Sequence, residues 1–175
     1  PPAALLPLIG RDKELAALLA ALNEIRLVTV LGAPGIGKTR LALALAERAV
    51  SLFSDGAAFI SLAEAATLDD VPLAVVRGLG LTPHASQSPA GAVATHLHAR
   101  QPLLVLDHCE HVLDGAALFA DWLTQAPQLK LLCTSRVPLD LYGEQEWPLA
   151  PLAVPDLAQP PNLATWGQSP ALQLL

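Results

Sequence analysis

Gly32-Ala33-Pro34-Gly35-Ile36-Gly37-Lys38-Thr39 sets two glycines with four residues between them and follows the second with Lys and Thr. This is the P-loop pattern, and each residue type in it has a physical task. The glycines let backbone N–H groups converge on phosphate oxygens with no Cβ in the way. A helix opening at the end of the loop adds free N–H groups and its positive dipole end. Lys38 can reach a β- or γ-phosphate, and the Thr39 hydroxyl can ligate Mg²⁺. Without phosphate in the loop, Lys38 is expected to face solvent.

A second centre is Leu103-Leu104-Val105-Leu106-Asp107, an apolar run that ends in a carboxylate. A strand of this kind is buried on both faces, and its terminal Asp can hold Mg²⁺ through the ion's water shell, the Walker B arrangement. His108-Cys109-Glu110-His111 comes next. A vigorous P-loop ATPase often has a second carboxylate directly after that Asp, to polarise the attacking water. Here His108 fills the slot, and Glu110 is the nearest substitute; its bland alternative is a solvated or capping side chain. The His-Cys-Glu-His cluster lacks a partner pair with the spacing of a structural zinc site. Arg136 closes the run Leu129 to Ser135, where it can sense a γ-phosphate or, alternatively, form a surface pair with Glu144 or Glu146.

These residues need a scaffold. Leu27–Leu31 reads as a short buried strand, and Arg40–Ala49 is built from strong helix formers. Strand, glycine loop and helix are the context the motif demands. Apolar residues at 15, 18, 19 and 22 mark an earlier helix. Taken alone, Gly10-Arg11 before it is a turn and a solvated charge. Further along, 57–62 is predicted as a strand and 68–79 as a helix. Another helix spans about 89–100 with Pro89 in its first turn, and 114–125 is a helix with Asp114 as candidate N-cap. Residues 144–149 make a fifth strand. Alternating strands and helices predict an α/β fold, a parallel sheet with helices on both faces. Open sheets of this kind bind ligands at the C-terminal ends of their strands, where the loop, Asp107 and Arg136 all lie.

Composition narrows the function class. The 175 residues are 53% hydrophobic, enough for one domain with a substantial core. The net charge of −6 argues against a nucleic-acid-binding surface in this segment. No apolar run reaches the roughly 18–20 residues of a membrane span, and the Pro-rich start lacks the basic residues of a signal peptide. Cys109 and Cys133 do not make a disulfide framework and read as reduced, buried thiols of a cytoplasmic protein. The absence of Met predicts that the chain is excised from a longer polypeptide. Residues 1–7 and 151–161 read as Pro-rich linkers, and 169–175 as the start of a helix. Trp122 reads as core; His84, His96 and His98 read as solvent-facing or loop residues.

In this order and spacing, five stretches together resemble the nucleotide-binding domain of the STAND class of signalling ATPases, which includes the NB-ARC proteins. They are Leu8 to Glu14, Gly32 to Arg40, Leu103 to His111, Leu132 to Leu139, and Gly143 to Leu149. The likeness is strongest to bacterial transcriptional regulators carrying such a module, and it covers about residues 8–152. It implies a three-layer P-loop NTPase of the additional-strand type, with a five-stranded, mainly parallel sheet and the Arg136 strand between the P-loop and Asp107 strands. By resemblance, Ile9, Gly10 and Arg11 contact adenine or position the loop around it, and Arg136 is the sensor arginine. ATP or ADP with Mg²⁺ is the implied ligand. The family continues into a helical lid, a winged helix and an output domain, so 153–175 is expected to be a linker and a truncated lid. A nucleotide-dependent oligomer of the full-length protein is also compatible with it.

The resulting expectation is an ATP/ADP regulatory switch with slow hydrolysis. An AAA+-like working ATPase is an alternative that wants a Glu next to Asp107 and an arginine finger in trans. A nucleotide-independent scaffold with a vestigial loop is another, opposed by an intact Lys38-Thr39 and Asp107. A nucleoside kinase would need an acceptor pocket and a basic lid, and the sequence presents neither.

Overall fold

A computed structural model describes residues 8–84 and 86–152. The linker expected at 1–7 and the linker and lid expected at 153–175 lie outside the described residues. The elements in chain order are α1 (Asp12–Glu24), β1 (Leu27–Leu31), α2 (Lys38–Ala49), β2 (Ala57–Ser61), α3 (Asp70–Gly78) and α4 (Pro89–Leu97). They continue with β3 (Leu103–Asp107), α5 (Ala116–Gln125), β4 (Lys130–Ser135) and β5 (Glu144–Pro148). Two 3₁₀ turns, Cys109–His111 and Leu113–Gly115, separate β3 from α5.

The strands form one five-stranded sheet in the order β2-β3-β4-β1-β5. Every pairing in it is parallel. Alternation along the strands divides the core into two layers. Leu104, Leu106, Leu131 and Cys133 face α3, α4 and α5, whereas Leu103, Val105, Val28, Val30 and Leu132 face α1 and α2. The three central strands are therefore apolar on both faces, as a doubly covered parallel sheet requires. Each leucine of β3 is wholly buried and contributes about 1.5–3 kcal/mol from that burial. The edge strands β2 and β5 are mostly half-buried or exposed.

Inserting β4 between β1 and β3 is the topological step that builds the site. Leu31 lies opposite Ser135, and Leu106 opposite Cys133. The P-loop, Asp107 and the Thr134-Ser135-Arg136 end thus emerge along one edge of the sheet. This is the additional-strand order that the resemblance implied.

Element ends depart from the sequence reading in one instructive place. Asp114 is not an N-cap: α5 begins at Ala116 after Gly115, and Asp114 lies within the second 3₁₀ turn. A Cβ at Gly115 would come within 2.3 Å of Leu68 Cδ2, so the chain enters α5 pressed against Leu68 with glycine at the cap position. The α4 start is capped as its sequence suggests, with Ser88 Oγ accepting from the Gly91 N–H and Pro89 in the first turn.

Cys109 and Cys133 are free and fully buried. Burial pushes the Cys109 thiol well up, and its hydrogen bond with Cys133 pushes it further. Since burial shuts both thiols away from reagents, they should react with a disulfide reagent at neutral pH at least ~100-fold slower in the native chain than in denaturant. Stopped-flow absorbance would measure this; equal rates in both states would contradict the buried placement.

Candidate nucleotide site

The loop after β1 owes its shape to two left-handed glycines, Gly35 at φ 77° and Gly37 at φ 100°. Side chains would be strained in those conformations. Gly32 is needed for closeness instead, because a Cβ there would sit 3.0 Å from Ile36 Cγ2. The Ile36 side chain packs on the core layer under α2, so only its backbone can serve the loop. Ala33 and Pro34 are both exposed. Gly37 caps α2 without a side chain, and the first turn of α2 carries no acidic residue. An acidic cap would quench the helix's positive end; its absence leaves that end available to an anion.

Lys38 is not directed to solvent, contrary to expectation. Its Nζ donates to the carbonyls of Gly32 at 2.7 Å and Ala33 at 3.2 Å. An ammonium with three donors satisfies itself on the nearest carbonyls. Arg40 is half-buried and lines a cleft together with Lys38 and Thr39.

Asp107 is 1% exposed and is held by neutral donors. Thr39 Oγ1 donates to Asp107 Oδ1 at 3.1 Å, and Thr134 Oγ1 donates to the same oxygen. The His108 N–H in turn donates to Thr134 Oγ1 at 3.1 Å. His108 Nδ1 lies 2.9 Å from Asp107 Oδ2, within ion-pair range but without the alignment of a hydrogen bond. His108 adopts a left-handed backbone at φ 65°, which is strained for a non-glycine residue and lies directly after the carboxylate. Thr134 thus fixes the Asp107 rotamer. Sequence reasoning noted its strand end but not its role. The available signal was its place on the strand next to Asp107, once β4 is known to lie beside β3.

The two remaining candidates meet. Arg136 Nε lies 3.0 Å from Glu110 Oε1, so neither Glu144 nor Glu146 is its partner. Glu144 instead accepts from the N–H groups of Leu139 and Leu141. Glu110 is not a solvated side chain, being 9% exposed. Cys109 Sγ donates to the Leu106 carbonyl, and the side chain belongs to the core. Lys38, Thr39, His108, Glu110, Thr134 and Arg136 together line a cleft of about 320 Å³ with the loop glycines.

Arg11 corrects the reading of a solvated charge. It is 4% exposed, and its guanidinium donates to Glu14 Oε1 at 2.7 Å, the Ala150 carbonyl at 2.7 Å and the Ile36 carbonyl at 3.4 Å. It ties the entry to α1, the P-loop and the exit from β5 into one unit. Gly10, exposed and at φ 68°, lines a shallow depression with Arg11, Glu14, Pro151 and Leu152; Ile9, half-buried, precedes them.

Comparison with known proteins agrees with this geometry. A family model described as an AAA domain matches residues 23–147. A Mycobacterium bovis protein named an HTH-type transcriptional regulator is 37% identical over 140 residues, 79% of this chain and 16% of that protein. An uncharacterized Mycobacterium tuberculosis protein is 35% identical over 147 residues, 83% of this chain and 37% of that one. The chain therefore spans well under half the length of these relatives. Among solved structures, Cdc6p from Pyrobaculum aerophilum superposes with a TM-score of 0.58 at 21% identity, over 83% of this chain and 47% of that one. A STAND protein with a tetratricopeptide repeat sensor from Pyrococcus horikoshii gives 0.50 at 17% identity, over 86% and 24%. At such identities the structures speak to the fold alone. Among the described residues, no helix is long and apolar enough to cross a membrane.

Proposed function

This chain belongs to the AAA domain family, and from that premise we propose that it is the ATP/ADP-binding switch module of a larger, transcription-regulating protein of the STAND class. On this reading residues 8–152 are the nucleotide-binding body, and 153–175 lead towards a lid. The observation that carries it is the convergence of Lys38, Thr39 and Arg136 around one cleft at the strand ends, with the buried Asp107 hydrogen-bonded to Thr39 beneath it. The Thr39 hydroxyl and Asp107 carboxylate, 3.1 Å apart, are the hard oxygen donors that Mg²⁺ takes. When bound, Mg²⁺ would neutralise charge on the β- and γ-phosphates. The glycine loop and the N-terminus of α2 would hold those phosphates, Lys38 leaving its carbonyls for them. Arg11, with Ile9 and Gly10, would position the loop at the adenine side.

The residues after Asp107 favour slow hydrolysis over a working motor. His108 occupies the usual base position, and Glu110 is already engaged by Arg136. When hydrolysis does occur, a water oxygen bonds to the γ-phosphorus and its proton passes to Glu110. The bond to the bridging oxygen breaks, and its electron pair leaves with ADP. Turnover should lie below about one per minute, near the ~10⁻² s⁻¹ of switch NTPases, and should not rise with protein concentration. A faster rate that rises with concentration would establish the motor alternative. In calorimetric titration, Arg136→Ala should weaken ATP binding about fivefold to tenfold more than ADP binding, since only ATP presents a γ-phosphate to a half-exposed guanidinium. Equal losses for the two nucleotides would remove Arg136 from the sensor role.

A further inference from the structure

Glu110 and Arg136 come from different parts of the chain and hold each other in the phosphate cleft. Their side chains sit in unlike surroundings, Glu110 9% exposed and Arg136 52% exposed. The second carboxylate oxygen, Glu110 Oε2, is shielded from solvent and has no hydrogen-bond partner. A carboxylate in that position depends on the guanidinium for its charge to be tolerable. Arg136, half in water, can leave at smaller cost. The same guanidinium lies along one cleft with Lys38 and Thr39, the residues placed to receive a triphosphate's terminal groups.

Two anions therefore compete for one cation. A γ-phosphate brings more negative charge and more acceptor oxygens than a carboxylate, so it is the stronger partner for the guanidinium. A diphosphate brings nothing to that position. We propose that Glu110 sets the site's preference between ATP and ADP. It competes with the γ-phosphate for Arg136, so ATP must open the Glu110–Arg136 pair and ADP leaves it closed. Opening also releases both Glu110 oxygens into the cleft, so the water-holding carboxylate becomes available only when a γ-phosphate is present. This rests on the nucleotide-binding reading above and extends it to how the site distinguishes its two ligands.

The test is calorimetric titration of the 175-residue chain with the Mg²⁺ complexes of a non-hydrolysable ATP analogue and of ADP. The variants are Glu110→Gln, Arg136→Ala and the double variant. Glu110→Gln removes the competitor, so binding of the ATP analogue should tighten about threefold to fivefold relative to ADP, the scale of a half-exposed ion pair. That gain should vanish in the Arg136→Ala background, because with no guanidinium there is nothing to compete for. An unchanged ratio in Glu110→Gln overturns the proposal. So does a gain that persists without Arg136, which would reduce Glu110 to a repelling charge. If the unsubstituted chain binds neither nucleotide, the functional reading itself falls. Should Glu110→Gln fail to fold, Glu110→Asp keeps the charge and shortens its reach, and the same shift in ratio is expected wherever the pair is lost.

Discussion

Lys38→Ala should abolish measurable binding of ATP and ADP while leaving the fold intact. In the free chain the Lys38 ammonium rests on the Gly32 and Ala33 carbonyls. Gly32 is half-buried and Ala33 exposed, so water can replace the lost donor at little cost. The melting temperature should therefore move by only a degree or two, about 0.5 kcal/mol at the usual scale. Binding is another matter. Charge-assisted hydrogen bonds contribute about 1.5–3 kcal/mol each. Two of them to phosphate oxygens amount to about 3 kcal/mol or more, at least a hundredfold in affinity. Titration of both nucleotides and a thermal melt of the variant would check this; affinity retained in a folded variant would remove the phosphate-cradle reading of the loop.

Arg11→Ala should be the most destabilising polar substitution at the periphery of the site, although Arg11 is read from sequence as a surface charge. Its guanidinium satisfies two backbone carbonyls and Glu14 in a nearly closed space. Removing it leaves acceptors from three segments without their shared donor, an expected loss of about 2–4 kcal/mol. For a chain of this size that lowers the melting temperature by roughly 5–12 °C. Arg11→Lys should recover only part, because an ammonium cannot fork to two carbonyls and a carboxylate in one plane. The loss should also depend on pH. Burial raises the Glu14 carboxyl, but the hydrogen bond and charge of Arg11, with a backbone hydrogen bond and the charge of Lys13, leave Glu14 below its ordinary value. A depressed carboxyl stabilises the fold above its unfolded pKa, and this contribution is lost as pH falls through the folded one. The gap between parent and variant should thus narrow below about pH 4. A gap independent of pH would mean that the carbonyl contacts alone account for the effect.

Local devices are written directly into the chain. Gly32 to Thr39 announces its own conformation, because left-handed glycines and a helix start are properties of adjacent residues. Leu103–Asp107 announces a strand buried on both faces, because four apolar residues in a row leave no face for water. Those two readings, with the strand–helix alternation, are enough for the sheet and its covering helices. The place of β4 between β1 and β3 follows from the resemblance rather than from any residue pattern, and the outer positions of β2 and β5 come from the structure. Three features depend on the assembled fold. Arg11 is buried only because the exit from β5 at Ala150 and the loop at Ile36 arrive beside it, far apart in sequence. Thr134 orients Asp107 only because β4 is inserted beside β3, which sets a strand-end hydroxyl against a strand-end carboxylate. Glu110 and Arg136 pair by the same insertion, which turns two independent candidates into one coupled unit. Backbone conformation is decided by neighbours in the chain and is legible there. The partner of a charged side chain is decided by which segments the sheet brings to one edge, and local pattern does not carry that information.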